Sequence, residues 1–556
     1  MPQQLSGLDA TFLYLETPET PMHVGSLNLY ALPPDFKGDF TAALRRHIAK
    51  RMHLAPLFSN KLGLMPLDIG HPVWLHEPKV DLQYHIRKLT LPRPGTQQQL
   101  EAACAQLHAQ LIDRSKPLWQ FVVIEGVRAP RGEHWVGFYA KIHHAALDGK
   151  GGVALANAIL DITPVPREVP PPKRSGPAKP TQLKIGEMIG AVLSNSLAQY
   201  AKIARALPSA AGALSQAVAG VGVGGLKSAL GQPKLPAVLA PKTPFNAPVT
   251  ATRVFATATL PQAPLRAAAR AAGERLGGGG SLNDAVLFVC STALRSYLQH
   301  HQALPRKTLV AAMPVSLREE NNQDLNNQAS MTLVELGTQW ADPARRFAAI
   351  AASTAKVKSA LAGLKHVLPT DYPSLFAPWL MGGLNAAYTR LSASERMPAL
   401  ANVVISNVPG PAVPLYMAGA RMLTYHPLSI VVHGVALNIT VQSYAGRVDF
   451  GLVACGKAVP DVQLLARGIE AALAQLQALG EPAPAKARAK KAAAPSGQAA
   501  GDAVVREGKA PRAARKPATA APGAAKSSRI RAARQPKRAA SAPPARKRSR
   551  NATPMQ

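Results

Sequence analysis

Lys141-Ile-His-His-Ala-Ala-Leu-Asp-Gly149 is the stretch around which the reading of this chain turns. Upstream of its two histidines, His134-Trp-Val-Gly-Phe-Tyr-Ala-Lys-Ile142 is rich in aromatic and branched residues and predicts a strand. Downstream, Gly152-Val-Ala-Leu-Ala-Asn-Ala-Ile-Leu160 predicts a helix. The histidines therefore stand where a strand runs into a turn. Side chains of consecutive strand residues point to opposite faces, so His143 and His144 do not serve one site as equals. One is expected to work and the other to hold.

An imidazole with a pKa near ~6.5 is mostly neutral at cytoplasmic pH and can take a proton from an attacking hydroxyl. Asp148 is placed to accept a hydrogen bond or to pair with an arginine that fixes the turn, and Gly149 gives the backbone freedom to reverse. A histidine at a strand end also serves structure alone, and the pair by itself does not separate the two readings. A metal site is not indicated, because the His-Glu-x-x-His spacing is absent and no cysteine lies nearby.

At 556 residues the chain is too long for one ordinary core, which predicts two domains with connectors. Net charge is +33, and the segment after Gly480 carries about nineteen Lys and Arg against three acids. A basic body suits anionic ligands, such as phosphate groups or membrane head groups. Cys104, Cys290 and Cys455 are far apart, so neither a disulfide framework nor a zinc ribbon is indicated, and a reducing cytoplasm fits. No charged leader opens the sequence, and no stretch approaches the ~18 uninterrupted apolar residues of a spanning helix.

Phe40–Ile48 and Gln98–Leu107 read as amphipathic helices, and Gln120–Glu125 pairs hairpin-like with the strand before the histidines, so the class is mixed α/β. The first domain spans 1–165. A Pro-rich linker, 166–245, includes an amphipathic helix with Ile185, Ile189, Leu193, Leu197, Tyr200, Ile203 and Leu207 at steps of three and four. That stripe suits membrane docking or packing on its own domain.

The second domain, 246–480, opens with a strand near Thr250–Phe255. Gly277 to Gly280 read as a flexible turn before a buried helix that Asn283 and Asp284 are placed to cap. Two strands joined at Tyr444–Gly446 and a helix over Val462–Leu479 close the body. The tail, 481–556, lacks the branched and aromatic residues needed to offset ordering entropy and is expected to be disordered. Its cations suit non-specific DNA or anionic lipid surfaces, or mere solvation.

His-His-x-x-x-Asp-Gly resembles the signature of the chloramphenicol-acetyltransferase-like acyltransferases, which include peptide-synthetase condensation domains. The wider chain resembles one branch, the bacterial wax ester synthase/acyl-CoA:diacylglycerol acyltransferases. The blocks are Leu5-Ser-Gly-Leu-Asp-Ala-Thr-Phe-Leu13 with Glu16, Pro21-Met-His-Val-Gly25, Pro117-Leu-Trp119, Thr243-Pro-Phe-Asn246, Ser281-Leu-Asn-Asp284, Met313-Pro-Val-Ser-Leu-Arg318 and Ser406-Asn-Val-Pro-Gly-Pro411. They fall in the family's order and cover roughly residues 1 to 480. The Asp-Phe-Gly-Trp-Gly block of plant relatives is missing, and Val448-Asp-Phe-Gly451 only echoes it.

The resemblance implies two chloramphenicol-acetyltransferase-like domains and transfer of a long acyl group from acyl-CoA to a diacylglycerol or a fatty alcohol. No cofactor is bound; acyl-CoA is a co-substrate. The thioester is already activated, so no enzyme nucleophile is required. His144 becomes the expected general base, with His143 in support and Asp148 and Gly149 shaping the loop. Asn283, Ser406 and Asn407 are expected to line a channel between the domains, and Glu16 and Trp119 follow from motif match. The expected location is the cytoplasm, with peripheral attachment to the inner membrane or lipid bodies. A rival of another class is a non-catalytic lipid-body coat tethered by its basic tail.

Overall fold

Ser6 starts the first helix by accepting a hydrogen bond from the Asp9 N–H, and α1 (Gly7–Leu15) leads into β1 (His23–Ala31). These elements belong to a computed structural model that describes residues 4–63, 71–147, 149–171, 239–316, 329–364 and 399–481. The Asp39 carboxylate caps α2 (Phe40–Ala49). A hairpin of β2 (Asn60–Gly63) and β3 (Val73–His76), the short α3 (Leu82–His85) and β4 (Ile86–Thr90) follow. A Thr96–Gln99 capping box starts α4 (Gln97–Ala109). Then β5 (Trp119–Glu125) and β6 (Trp135–His143) run antiparallel, the hairpin-like pairing expected from the sequence.

Across β6, Phe138 and Ile142 pack with Phe40, Leu44 and Ile48 of α2, while Tyr139 joins Leu100 and Cys104 of α4 on the other face. The α2 residues recur every four positions, one stripe of the helix, and each is worth about 1.5–3 kcal/mol buried rather than exposed. After β6 comes a single 3-10 turn, His144–Ala146, and α5 (Gly149–Ile159).

The second half contains β7 (Arg253–Pro261), α6 (Gln262–Leu276), α7 (Leu282–His300), β8 (Val310–Ser316), β9 (Ala329–Glu335), α8 (Pro343–Leu364) and β10 (Val403–Val408). It continues with β11 (Tyr416–Met417), β12 (Ala420–Met422), β13 (His426–Leu428), β14 (Leu437–Tyr444), β15 (Arg447–Cys455) and α9 (Gln463–Gly480). The opening strand starts at Arg253, three residues later than the sequence suggests. Ser281, not Asn283, caps α7, with Asp284 reciprocating through a capping box; Asn283 is inside the first turn. Of the four glycines, Gly277 ends α6 in the left-handed conformation and only Gly280 is pressed against that helix. A Cβ at Gly280 would come within 2.1 Å of the Ala269 carbonyl oxygen, so only glycine lets the turn lie on α6.

The halves repeat one topology without repeating a sequence. In the first sheet β1-β6-β5-β4 pair antiparallel, antiparallel and parallel; in the second β7-β15-β14-β10 do the same. His143 ends β6 opposite His23, and Cys455 ends β15 opposite Arg253. Only the first of these equivalent positions carries the histidine pair.

Residues 416–428 cross over and complete the first sheet, β12 and β13 each pairing with β1. Between the sheets, β13 touches β15 so closely that a Cβ on Gly451 would stand 1.7 Å from the Pro427 carbonyl oxygen. The glycine of Val448-Asp-Phe-Gly451 is thus set by packing. The helix expected over Ile185–Leu207 and the tail beyond Glu481 lie outside the described residues.

Candidate active site

His143 is fully buried, and both its ring nitrogens face protein groups. Nδ1 accepts the Ala145 N–H at 3.1 Å, which leaves the ring proton on Nε2, 3.2 Å from Oε2 of Glu16. The carboxylate of Glu16, its side chain 2% exposed, is a hub. Its Oε1 accepts Nε and Nη2 of Arg114 at 3.0 and 2.7 Å, and its Oε2 accepts the Met22 N–H at 3.1 Å. Burial alone would raise the carboxyl; the hydrogen bond from His143, then the charge of Arg114 and the Met22 amide, hold it below its ordinary value.

His144 sits differently. Its ring is only partly buried and stacks on Phe12 of α1, with centroids 3.8 Å apart and planes 18° from parallel. Nδ1 is buried and makes no hydrogen bond among the described residues. Burial against the apolar ring pushes its pKa down to about 4; its own backbone carbonyl opposes this and the neighbouring His143 adds to it. The imidazole is therefore neutral at pH 7.

Backbone bonds fix the position of the pair. The His143 N–H donates to the Leu118 carbonyl at 3.0 Å, and the His144 N–H donates to the Met22 carbonyl at 2.9 Å. The blocks Pro117-Leu-Trp119 and Pro21-Met-His-Val-Gly25 thus grip the strand end from two sides. Trp119 is a core residue behind this grip: its indole N–H donates to Phe58 O at 3.1 Å, its ring stacks on His85, and its carbonyl accepts from His85 Nδ1 at 2.7 Å.

Of the remaining expected residues, Gly149 begins α5, and Asp148 lies outside the described residues. Ser406 and Asn407 are half-buried near the end of β10, beside Thr440 and Val441 of β14, and Asn283 is half-buried at the start of α7. The structure brings Glu16, His143 and His144 together directly. Asn283, Ser406 and Asn407 belong to the second sheet and its helices and make no contact with the histidines among the described interactions.

Sequence reasoning did not single out Arg114 or Phe12. Arg114 is one of 64 Lys and Arg, and nothing local marks it as the partner of a carboxylate 98 positions away. Phe12 falls inside a recognised block, but its stacking depends on where α1 docks. A cavity of about 1260 Å³ opens instead beside Arg46, Lys50, Lys79 and Arg167, and neither His143 nor His144 lines it. Chemistry, not cavity size, places the candidate site.

Comparison with known proteins identifies the family. Residues 5–286 match the wax ester synthase/diacylglycerol acyltransferase catalytic domain, and residues 325–477 match the corresponding C-terminal domain. A probable diacylglycerol O-acyltransferase of Mycobacterium tuberculosis is 34% identical over 484 residues, covering 85% of this chain and 98% of its own. The solved wax ester synthase/diacylglycerol acyltransferase from Marinobacter aquaeolei VT8 is similar in fold, with a TM-score of 0.59 at 27% identity over 86% of this chain and 100% of that one. The chain belongs to the wax ester synthase/diacylglycerol acyltransferase family.

Proposed function

We propose that this protein is an acyl-CoA-dependent O-acyltransferase that moves a long acyl group to the hydroxyl of a diacylglycerol or a fatty alcohol, with His144 as general base. The observation that carries this reading is the asymmetry of the pair. His143 is fully buried with Nδ1 accepting the Ala145 amide and Nε2 against the Glu16 carboxylate, whereas His144 is neutral, partly open and held just past the strand end.

His144 takes the hydroxyl proton as oxygen attacks the thioester carbonyl. The tetrahedral intermediate then expels the thiolate as the C–S bond breaks, and the imidazolium returns the proton to sulfur. The products are an ester and free coenzyme A. General-base help is worth ~10²- to 10⁴-fold, so alignment of two lipid substrates and donors at the developing oxyanion supply the rest. A ring whose resting pKa is about 4 is a weak base; negative charge growing on the substrate oxygen beside it favours the imidazolium at the moment of transfer.

In this reading Glu16 and His143 orient the turn, Asp148 and Gly149 shape it, and Trp119 backs the strand. Asn283, Ser406 and Asn407 line the acyl or acceptor channel or assist the oxyanion. No helix among the described residues is long and apolar enough to cross a membrane. The basic surface would meet an anionic membrane or lipid body from outside, and the tail would add non-specific attraction to DNA or lipid.

The test is labelled acyl-CoA with hexadecanol or diacylglycerol, comparing the parent with His144→Ala. Loss of turnover in a folded variant supports the reading, and retained turnover removes the general-base role. A parent inactive on both acceptors points to a lipid-coat role instead. Lipid chromatography of an expressing host without storage lipid tells wax ester from triacylglycerol.

A further inference from the structure

On β6, Tyr139, Lys141 and His143 project to one face, because residues two apart on a strand point the same way. All three are buried. Lys141 is 1% exposed and, among the described residues, has no carboxylate within ion-pair distance. Its Nζ donates to Leu107 O at 3.0 Å and Gln110 O at 2.8 Å. These are carbonyls at the C-terminal end of α4, where backbone acceptors lack helical partners and the helix dipole is negative.

His23, directly across from His143 on β1, serves the carbonyl between them: its Nε2 is 2.6 Å from His108 O. The His108 ring reaches Tyr139 Oη at 2.9 Å and Ser429 O at 3.3 Å. The start of α4 is tied elsewhere. Glu101 accepts the Thr257 N–H at 2.9 Å and its hydroxyl at 2.6 Å, and Gln97 donates to the same hydroxyl at 3.0 Å. Thr257 lies on β7, in the second sheet. The helix therefore runs about 20 Å, at 1.5 Å per residue, from the second sheet to the back of the strand that carries the histidines.

We propose that Lys141 is a positioning residue for acyl transfer: by capping the end of α4 it sets the distance of the His143–His144 strand end from the second sheet. The proposal rests on the reading of His144 as the base. Burying an ammonium is costly, and an apolar side chain of the same length would fill the space, so the two carbonyl bonds are what the cation contributes. Burial pushes Lys141 down to about 7; Arg87 adds to this and Glu16 opposes it. The neutral amine still donates two hydrogen bonds, so the joint survives deprotonation.

Lys141→Met in the full chain, assayed with palmitoyl-CoA and hexadecanol, is the test. A 1 Å misplacement of reacting groups costs on the order of 10²-fold, so kcat is expected to fall by about that factor. The KM for acyl-CoA should stay within about threefold, since no substrate contact is removed. Lys141→Arg, which keeps the donors, should recover about tenfold of the lost kcat. If the Met variant does not fold, Thr257→Val cuts the strut at its other end and should lower kcat severalfold at unchanged KM. A Met variant within threefold of the parent kcat overturns the proposal. So does an Arg variant as slow as the Met variant, or, when the Met variant does not fold, a Thr257→Val with parental kcat. His144→Ala keeps the two ideas apart: if it is dead while Lys141→Met is normal, only the present proposal fails; if it is active, the general-base reading fails.

Discussion

Nε2 of His143 and Oε2 of Glu16 stand 3.2 Å apart with both side chains buried, and Arg114 grips the other carboxylate oxygen. The first histidine of the pair is thereby committed to holding a tautomer. Because Nδ1 already accepts the Ala145 amide, Nε2 must carry the proton, and only an acceptor fits opposite it.

Glu16→Gln should break that arrangement. If the amide presents its NH₂ to Nε2, a neutral His143 cannot accept at both nitrogens, and one hydrogen bond is lost. We expect kcat to fall by about 10²-fold and stability by about 1–3 kcal/mol, the cost of a buried group left unpaired. Turnover assays and denaturant unfolding check both. A variant with parental kcat would show that His143 needs no carboxylate.

The pH profile tests the environment of His144. With its pKa pushed down to about 4, kcat/KM should stay level from pH 7 to about 5 wherever the protein remains folded. An acid limb near pH 6.5 would contradict the desolvation of the ring by its stacking on Phe12. Phe12→Ala, by opening the ring to water, should move the limb toward 6.5.

Acid should weaken the fold before it stops the chemistry. His144 and His108 titrate near 4 and 3 when folded, below the ordinary value of about 6.5 expected in the unfolded chain. Above 6.5 neither state binds these protons and stability is full. As pH falls below 6.5 the unfolded chain protonates first, and each group costs at most about 1.4 kcal/mol per pH unit down to its folded value. Glu16, lowered in the fold, acts in the same direction at still lower pH. Urea midpoints between pH 7 and pH 4.5 should decline steadily, and a flat series would refute the burial of these rings.

Gly451→Ala should be among the most damaging single-methyl additions in the second sheet. The new Cβ would meet Pro427 O, a backbone atom of the strand that joins the two sheets. Overpacking of this kind costs about 1–3 kcal/mol or more, so we expect a clear fall in the thermal midpoint or insoluble protein. A midpoint within about 1 °C of the parent would mean that β13 yields freely.

Much of the local structure was legible in the sequence. The strand before the histidines, the helices at 40–49, 97–109 and 463–480, and the turn at Ala445–Gly446 all follow from periodicity and turn chemistry acting over a few residues. The sequence also placed the histidines where a strand meets a turn, but strand alternation does not separate them, because β6 ends at His143 and His144 opens the 3-10 turn. Errors fell where a neighbouring rule competed. Ser281 outranked Asn283 as a cap, and the last glycine of the run, Gly280, is required by packing on α6.

The sequence by itself determined the longer periodic elements and the motif blocks, because each is recorded within a few consecutive residues. Only the tertiary structure decided that Glu16 and Arg114 clamp His143, that Phe12 lies on His144, that Lys141 caps α4, and that residues 416–428 complete the other half's sheet. Ion pairs, ring stacks and caps form between whatever groups the fold brings within a few ångströms. Strands of two or three residues, such as β11 to β13, are too short to show a period. Their partners are settled by docking of the sheets, and no stretch of sequence records it.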